Sequence, residues 1–108
     1  MKKQTLDTPF DVLVLSEKMG SSLKTARLRR GMTQNEAALR AGVGRELVLR
    51  AEKGKPVSSR SLFSLLWLYG LLNQMVSSVS DDKDIAGIAR EKNLLPTRAR
   101  KRKIDDEF

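Results

Sequence analysis

Arg45, Glu46, Leu49 and Arg50 follow one another at steps of one, three and one along the chain. On a helix, at about 100° per residue, all four fall within an arc of about 140°. Leu47, Val48 and Ala51 then lie on the opposite side, where an apolar set packs inward. The outward set has the chemistry needed at the edge of a base pair. Arg bonds guanine bidentately, Glu accepts from the cytosine amino group, and Leu touches a thymine methyl. A solvated helix face is the competing account of these four side chains, and a single exposed Leu needs no explanation.

Other chemistries lack their residues. The chain has no His and no Cys, which removes disulfide scaffolds, thiolate zinc sites, Cys nucleophiles and imidazole acid–base catalysis together. Ser, Thr and carboxylates are present, but no base, metal ligands or phosphate-cradling loop accompany them. The expectation is a protein that is not an enzyme and that uses no metal or cofactor. A length of 108 residues suits one domain plus tails. Hydrophobic residues at 40% with aromatics at only 5% point to a helical core of Leu, Val and Ala. No run of about 18 apolar residues occurs, so no membrane span is expected. The two N-terminal lysines precede a mixed segment rather than an apolar one, which argues against a secretory signal. A reducing cytoplasm suits such a chain.

The net charge of +8 is unevenly placed. Residues 18–57 hold ten basic and three acidic side chains, a balance of +7, whereas residues 1–17 sum to −1 and residues 58–97 to zero. Residues 98–108 add five basic against three acidic, or +2. A positive field concentrated in one block fits a polyanionic partner better than scattered solubilising charge would.

The elements that would position the reading face can be traced from their caps. Leu6 to Leu15 reads as a short extended segment, with Phe10, Val12 and Val14 alternating against Asp11. Ser16 is a candidate N-cap for a first helix running to Arg30, with Met19, Leu23, Ala26 and Arg30 at helical steps and Gly31 as its stop. Thr33 and Glu36 have the spacing of a capping box for a second, short helix ending near Ala41, and Gly42 supplies the sharp turn. A third helix starts after Gly44 and ends at Lys53 before Gly54 and Pro56. Ser58 or Ser59 caps a fourth that runs through Leu68. Asn73 to Val79 and the stretch holding Ile85, Ile88 and Leu94 are weaker helical candidates. From Thr97 to Phe108 a flexible tail is expected.

The segment "LKTARLRRGMTQNEAALRAGVGRELVLRAEKGKP" closely resembles the lambda-repressor and Cro type of helix-turn-helix, the Xre family. The resemblance rests on the Gly-x-Thr-Gln-x-Glu start of the second helix, the Ala-Gly-Val turn and the Glu-x-Gly end of the third, and covers roughly Met19 to Leu71. Ala37, Gly44 and Ala51 depart from the residues usual in the family and imply a thinner core. The resemblance implies an all-α, lambda-repressor-like domain of four to five helices containing a helix-turn-helix. The short N-terminal extended segment would precede it and the flexible C-terminal tail follow it. Residues 1–15 would be an extension, 16–79 the domain and 80–108 a C-terminal segment. It further implies a homodimer on double-stranded operator DNA. Gln34 would bond phosphate or support a neighbouring base contact, its alternative being solvation of the helix start. Arg40, Lys53 and Lys55 are phosphate candidates, or free surface charges. Arg27 and Glu52 would form a partly buried ion pair that sets the angle of the third helix.

Leu62, Leu65, Leu66 and Tyr69 share one face of the fourth helix, while Trp67 points to its far side with Phe63 at the border. Trp67 is therefore either buried under the C-terminal segment or used in an intermolecular contact. "SLFSLLWLYGLL" and the basic ending "LPTRARKRKIDDEF" resemble the HipB group within the Xre family. That resemblance implies an antitoxin that represses its own operon and binds a HipA-type serine/threonine kinase toxin; a stand-alone repressor is the alternative. Arg98, Arg100, Lys101, Arg102 and Lys103 would reach DNA, dock on a partner or stay solvated.

Overall fold

A computed structural model describes residues 7–94, and the regular elements among them are all helical. In chain order they are α1 (Phe10–Arg29), α2 (Gln34–Ala41), α3 (Arg45–Glu52), α4 (Ser59–Leu68) and α5 (Leu72–Ser78), then a 3₁₀ turn (Asp81–Lys83) and α6 (Ile85–Leu94). Two units divide the chain, one through Asn73 and one from Gln74 onward. The first contains the lambda-repressor-like arrangement: α2 packs on α3 and on α4, and α1 packs on α3. Its core is built from Leu23 and Ala26 of α1, Ala37 and Ala38 of α2, Val48 and Ala51 of α3, and Leu65, Leu66 and Tyr69 on or just after α4. Ala37 and Ala51 are both buried, so the small side chains bring helices close rather than leaving the core open.

From Phe10 onward the expected extended segment, Leu6 to Leu15, is helix instead, and Leu6 lies outside the described residues. α1 begins at Phe10, with Pro9 as its N-cap and the Pro9 carbonyl accepting from the Val12 and Leu13 amides. Proline suits a helix start because the amide it lacks would have no intrahelical partner there. The alternation of Phe10, Val12 and Val14 competes with a second pattern, Val12, Ser16, Met19 and Leu23, whose spacing is helical. That stripe wins because it lies against the end of α3 and the start of α4. Leu13, Ser16, Met19, Gly54, Val57 and Leu62 help line an apolar groove of roughly 350 Å³ there. Ser16 is accordingly an interior residue of α1 rather than its cap.

Helix ends follow the sequence closely. Thr33 accepts from the Glu36 amide while the Glu36 carboxylate accepts from the Thr33 amide, closing the expected capping box. Of the two serines proposed to cap α4, Ser58 does so by accepting from the Ser61 amide. α1 through α4 all end on a glycine with φ between +68° and +74°. At Gly54 the reason is twofold. Its left-handed backbone reverses the chain after α3, and a Cβ there would stand 2.7 Å from the Ser16 carbonyl oxygen.

In the second unit, the Asp84 carboxylate accepts from the Gly87 amide at the start of α6, and the Lys83 ammonium donates to the Ser77 carbonyl and hydroxyl. The basic tail, including Arg98 to Lys103, lies outside the described residues. No described helix is long and apolar enough to cross a membrane.

Candidate nucleic-acid interface

α3 divides as its sequence period requires. Val48 and Ala51 are buried and Leu47 half-buried, whereas Arg45, Glu46 and Arg50 are exposed. Leu49, on the outward arc, is half-buried rather than fully exposed. Arg45 and Glu46 occupy the first turn, directly after the Gly42–Gly44 connection that joins α2 to α3. Gly44 is the N-cap, in extended backbone and with no side-chain capping bond, so the start of α3 is held by the turn rather than by a side-chain oxygen.

The far end of α3 is held by charge. Arg27 on α1 and Glu52 meet through two parallel bonds, from Nε to Oε2 at 2.6 Å and from the second terminal nitrogen to Oε1 at 3.1 Å. The remaining terminal nitrogen of Arg27 donates to the Met32 carbonyl at 2.9 Å. Both side chains are almost entirely removed from solvent, at 7% and 5% exposure, so neither can lose its partner cheaply. The Glu52 hydrogen bond holds the Arg27 pKa above its already high ordinary value, against the opposing effect of burial. Gln34 at the start of α2 joins the same group, its side-chain amide donating to Glu52 Oε1 at 3.3 Å. One carboxylate thus ties α1, α2 and α3 together.

Gly20 of α1 is a residue that sequence reasoning missed at this junction. A Cβ on it would stand 2.6 Å from the Glu52 carbonyl oxygen and 2.8 Å from that of Ala51. Those partners are backbone and cannot rotate away, so only glycine lets α1 approach α3 closely enough for Arg27 to reach Glu52. The buried face of α1 is Gly20, Leu23, Ala26 and Arg27, and Met19, lining the groove beside it, is 41% exposed. A glycine in the middle of a helix, where it disfavours the helix by about 1 kcal/mol relative to Ala, was the available signal.

Seven of the ten cations of residues 18–57 fall into two groups, Lys18, Lys24 and Arg29 lying exposed on α1. Arg27, Arg30 and Arg50 are engaged inside the domain. Arg30 donates to the carbonyls of Ala26 and Tyr69 and lies 5.7 Å from the centre of the Tyr69 ring. Arg50 donates from Nε and from a terminal nitrogen to the Pro56 carbonyl, at 3.2 and 2.9 Å. Arg40, Arg45, Lys53 and Lys55 are exposed, and among the described residues no side-chain hydrogen bond or ion pair holds them. Leu39 stands beside Arg40 with 82% exposure, an apolar side chain on the α2 flank that the motif did not single out.

On α4 the expected core face is buried through Leu65, Leu66 and Tyr69, with Leu62 half-buried. Burial raises the Tyr69 pKa, and the nearby Glu52 charge adds to the shift. Phe63 and Trp67 are 40% and 63% exposed and share a shallow surface with Arg60, Ser64 and Leu72. They stand apart from the outward side chains of α3 in chemistry as well as in sequence.

No curated protein matches the chain. Residues 23–70, somewhat less than half of the chain, match the family model described as "Helix-turn-helix", and the span from Leu23 to Gly70, with its capping box, its glycine turn and its ion-paired α3, has the lambda-repressor-like helix-turn-helix fold.

Proposed function

We infer that the chain is a sequence-specific DNA-binding transcription regulator, with α3 as the reading helix. The observation that carries this is the contrast within α3. Its inner face and its end are fixed by Val48, Ala51 and the Arg27–Glu52 pair, while Arg45 and Glu46 project from its first turn with no partner among the described residues. A rigid helix presenting a bidentate donor and an acceptor at its N-terminal end has what major-groove readout needs. Leu49 supplies an apolar contact from the same arc. Arg40, Lys53 and Lys55 add positive charge around the helix for phosphate, and Gln34, anchored on Glu52, places the start of α2 beside them.

The regulator acts as a homodimer on a two-fold symmetric operator, so its half-site centres lie about 34 Å apart, or a multiple of that distance, on one side of the duplex. Selection of duplexes from a randomised pool, followed by footprinting, tests this reading. A symmetric footprint is the expected result; failure to enrich any sequence, with binding no stronger than that of a protein of equal charge, refutes it.

The finer role we propose is that of an antitoxin in a toxin–antitoxin operon, repressing that operon and binding a HipA-type serine/threonine kinase. Its support is the exposed Phe63–Trp67 surface on α4, together with the resemblance of this stretch to the HipB group. Native mass measurement of the chain co-expressed with its neighbouring gene decides it. A stable kinase complex supports the antitoxin role, and a bare dimer leaves a stand-alone repressor.

A further inference from the structure

Arg50 lies on the outward arc of α3, where its type and position make it a natural reader of guanine. Its hydrogen bonds assign it differently. Arg50 is the residue at which α3 begins to close: its carbonyl accepts from the Lys55 amide at 2.9 Å, and the Gly54 amide bonds the Ala51 carbonyl at 3.0 Å. These paired bonds end the helix in a Schellman motif. The side chain then reaches past the turn and donates twice to the Pro56 carbonyl, at 3.2 and 2.9 Å. Proline has no amide, so its carbonyl is the one backbone group it contributes, and a guanidinium fork caps it with two charge-assisted donors. Glu46 lies one turn earlier at a spacing suited to an ion pair, yet among the described residues Arg27–Glu52 is the ion pair that forms. Arg50 thus holds Lys53–Pro56 from both sides, by its carbonyl and by its guanidinium. Lys53 and Lys55, the exposed cations of that loop, ride on the segment it holds.

We propose that Arg50 is a positioning residue that locks the Lys53–Pro56 turn so that Lys53 and Lys55 meet the phosphate backbone already in place, leaving base readout to Arg45, Glu46 and Leu49. The proposal rests on the DNA-binding reading. Long lysine side chains on a loose loop lose entropy when they dock, and a pre-set loop removes part of that loss. Phosphate contacts carry no sequence information. The loss of Arg50 therefore lowers affinity for every duplex by a similar factor and leaves sequence preference unchanged.

The test uses the full chain and two probes, a duplex enriched from a randomised pool by the wild-type protein and the unselected pool itself. Arg50→Lys keeps the charge and removes the fork; Arg50→Gln removes both. Both variants should weaken binding to both probes about tenfold, with the ratio between probes unchanged. In a chain already carrying Lys53→Ala and Lys55→Ala, Arg50→Lys should cause little further loss, because Arg50 acts through those lysines. Amide exchange of the free protein should quicken at Gly54 and Lys55 in both single variants, with circular dichroism unchanged. Several results overturn the assignment. A collapsed ratio, with preference relaxed at one position per half-site, makes Arg50 a base reader. Full rescue by Arg50→Lys makes it a simple phosphate contact. An equal loss in the doubly lysine-deleted background shows that it does not act through the turn. Unchanged amide exchange shows that the fork does not hold the loop. If the wild-type chain enriches no duplex at all, the DNA-binding reading fails, and that outcome is distinct from any of the others.

Discussion

Two exposed surfaces of the first unit differ in how they are made. The surface around α3 is charged, and beside the buried Val48 and Ala51 its frame is polar: the Arg27–Glu52 pair and the Gln34 amide beneath it, and the exposed Arg50–Pro56 bonds at its end. The outer side of α4 shows Phe63 and Trp67, and residues 61–80 contain no charged side chain at all. Beneath it lies an ordinary apolar packing face of Leu65, Leu66 and Tyr69. A directional frame fixes the angle of a helix, which matters where side chains must meet base edges. An apolar frame fixes only that the helix is packed, which suffices for a surface that offers area. On the proposed reading, the first surface meets a polyanion and the second a protein.

Removing the polar frame should have the largest effect. Glu52→Ala leaves the Arg27 guanidinium buried with the Met32 carbonyl as its remaining partner, and is expected to destabilise the domain by about 3–5 kcal/mol in urea unfolding. A loss below about 1 kcal/mol would show that the pair does not set the frame, and the contrast between the surfaces would lose its basis. The apolar frame answers to a paired experiment. Leu66→Ala should lower stability by about 2–5 kcal/mol through a core cavity. Trp67→Ala, on the other side of the same helix, should keep its helical signal and melting temperature, while association with a second copy or with the kinase weakens by about 2 kcal/mol. Early melting of the Trp67 variant would assign the indole to the core, and unchanged association would reduce it to a surface aromatic.

Arg45→Ala sharpens the comparison from the charged side. It should weaken binding to the selected duplex by about 1–3 kcal/mol and relax preference at one base pair per half-site, with no change in the association measured for the Trp67 variant. Loss of both together would mean that the surfaces are coupled. The smallest effect belongs to the capping box. Thr33→Ala should destabilise the domain by about 1 kcal/mol. The Glu36 carboxyl is held below its ordinary pKa chiefly by the Thr33 backbone amide. Its contribution to stability is therefore present above the ordinary glutamate value of about 4.3 and lost as the pH falls through the lowered folded value. Glu36→Gln, which keeps a hydrogen-bond acceptor, should flatten that acid limb; an unchanged limb would show that the capping carboxylate carries none of it.

How much was legible depended on whether the signal was local. Thr33, Glu36, Gly42, Gly54 and Ser58 act on backbone within a few residues of themselves, so their types and spacing were enough to place the ends of α2, α3 and α4. The inward and outward faces of α3 were readable for the same reason, since one helical turn relates them. Residues 10–15 were misread because five apolar residues around Asp11 satisfy both periods, and Pro9 can precede a strand or a helix.

The sequence alone determined the helix-turn-helix, its caps, its basic block and the outward face of α3 proposed to read bases, because each follows from neighbours along the chain. Only the tertiary structure decided that α1 starts at Phe10, that Gly20 is the point where α1 and α3 touch, and that Arg50 is bound to Pro56 while Arg45 is not. Two arginines on one helix face look alike in sequence. They differ once the chain has turned back at Gly54 and placed a carbonyl within reach of one and not the other, a difference set by a backbone path that neither residue encodes.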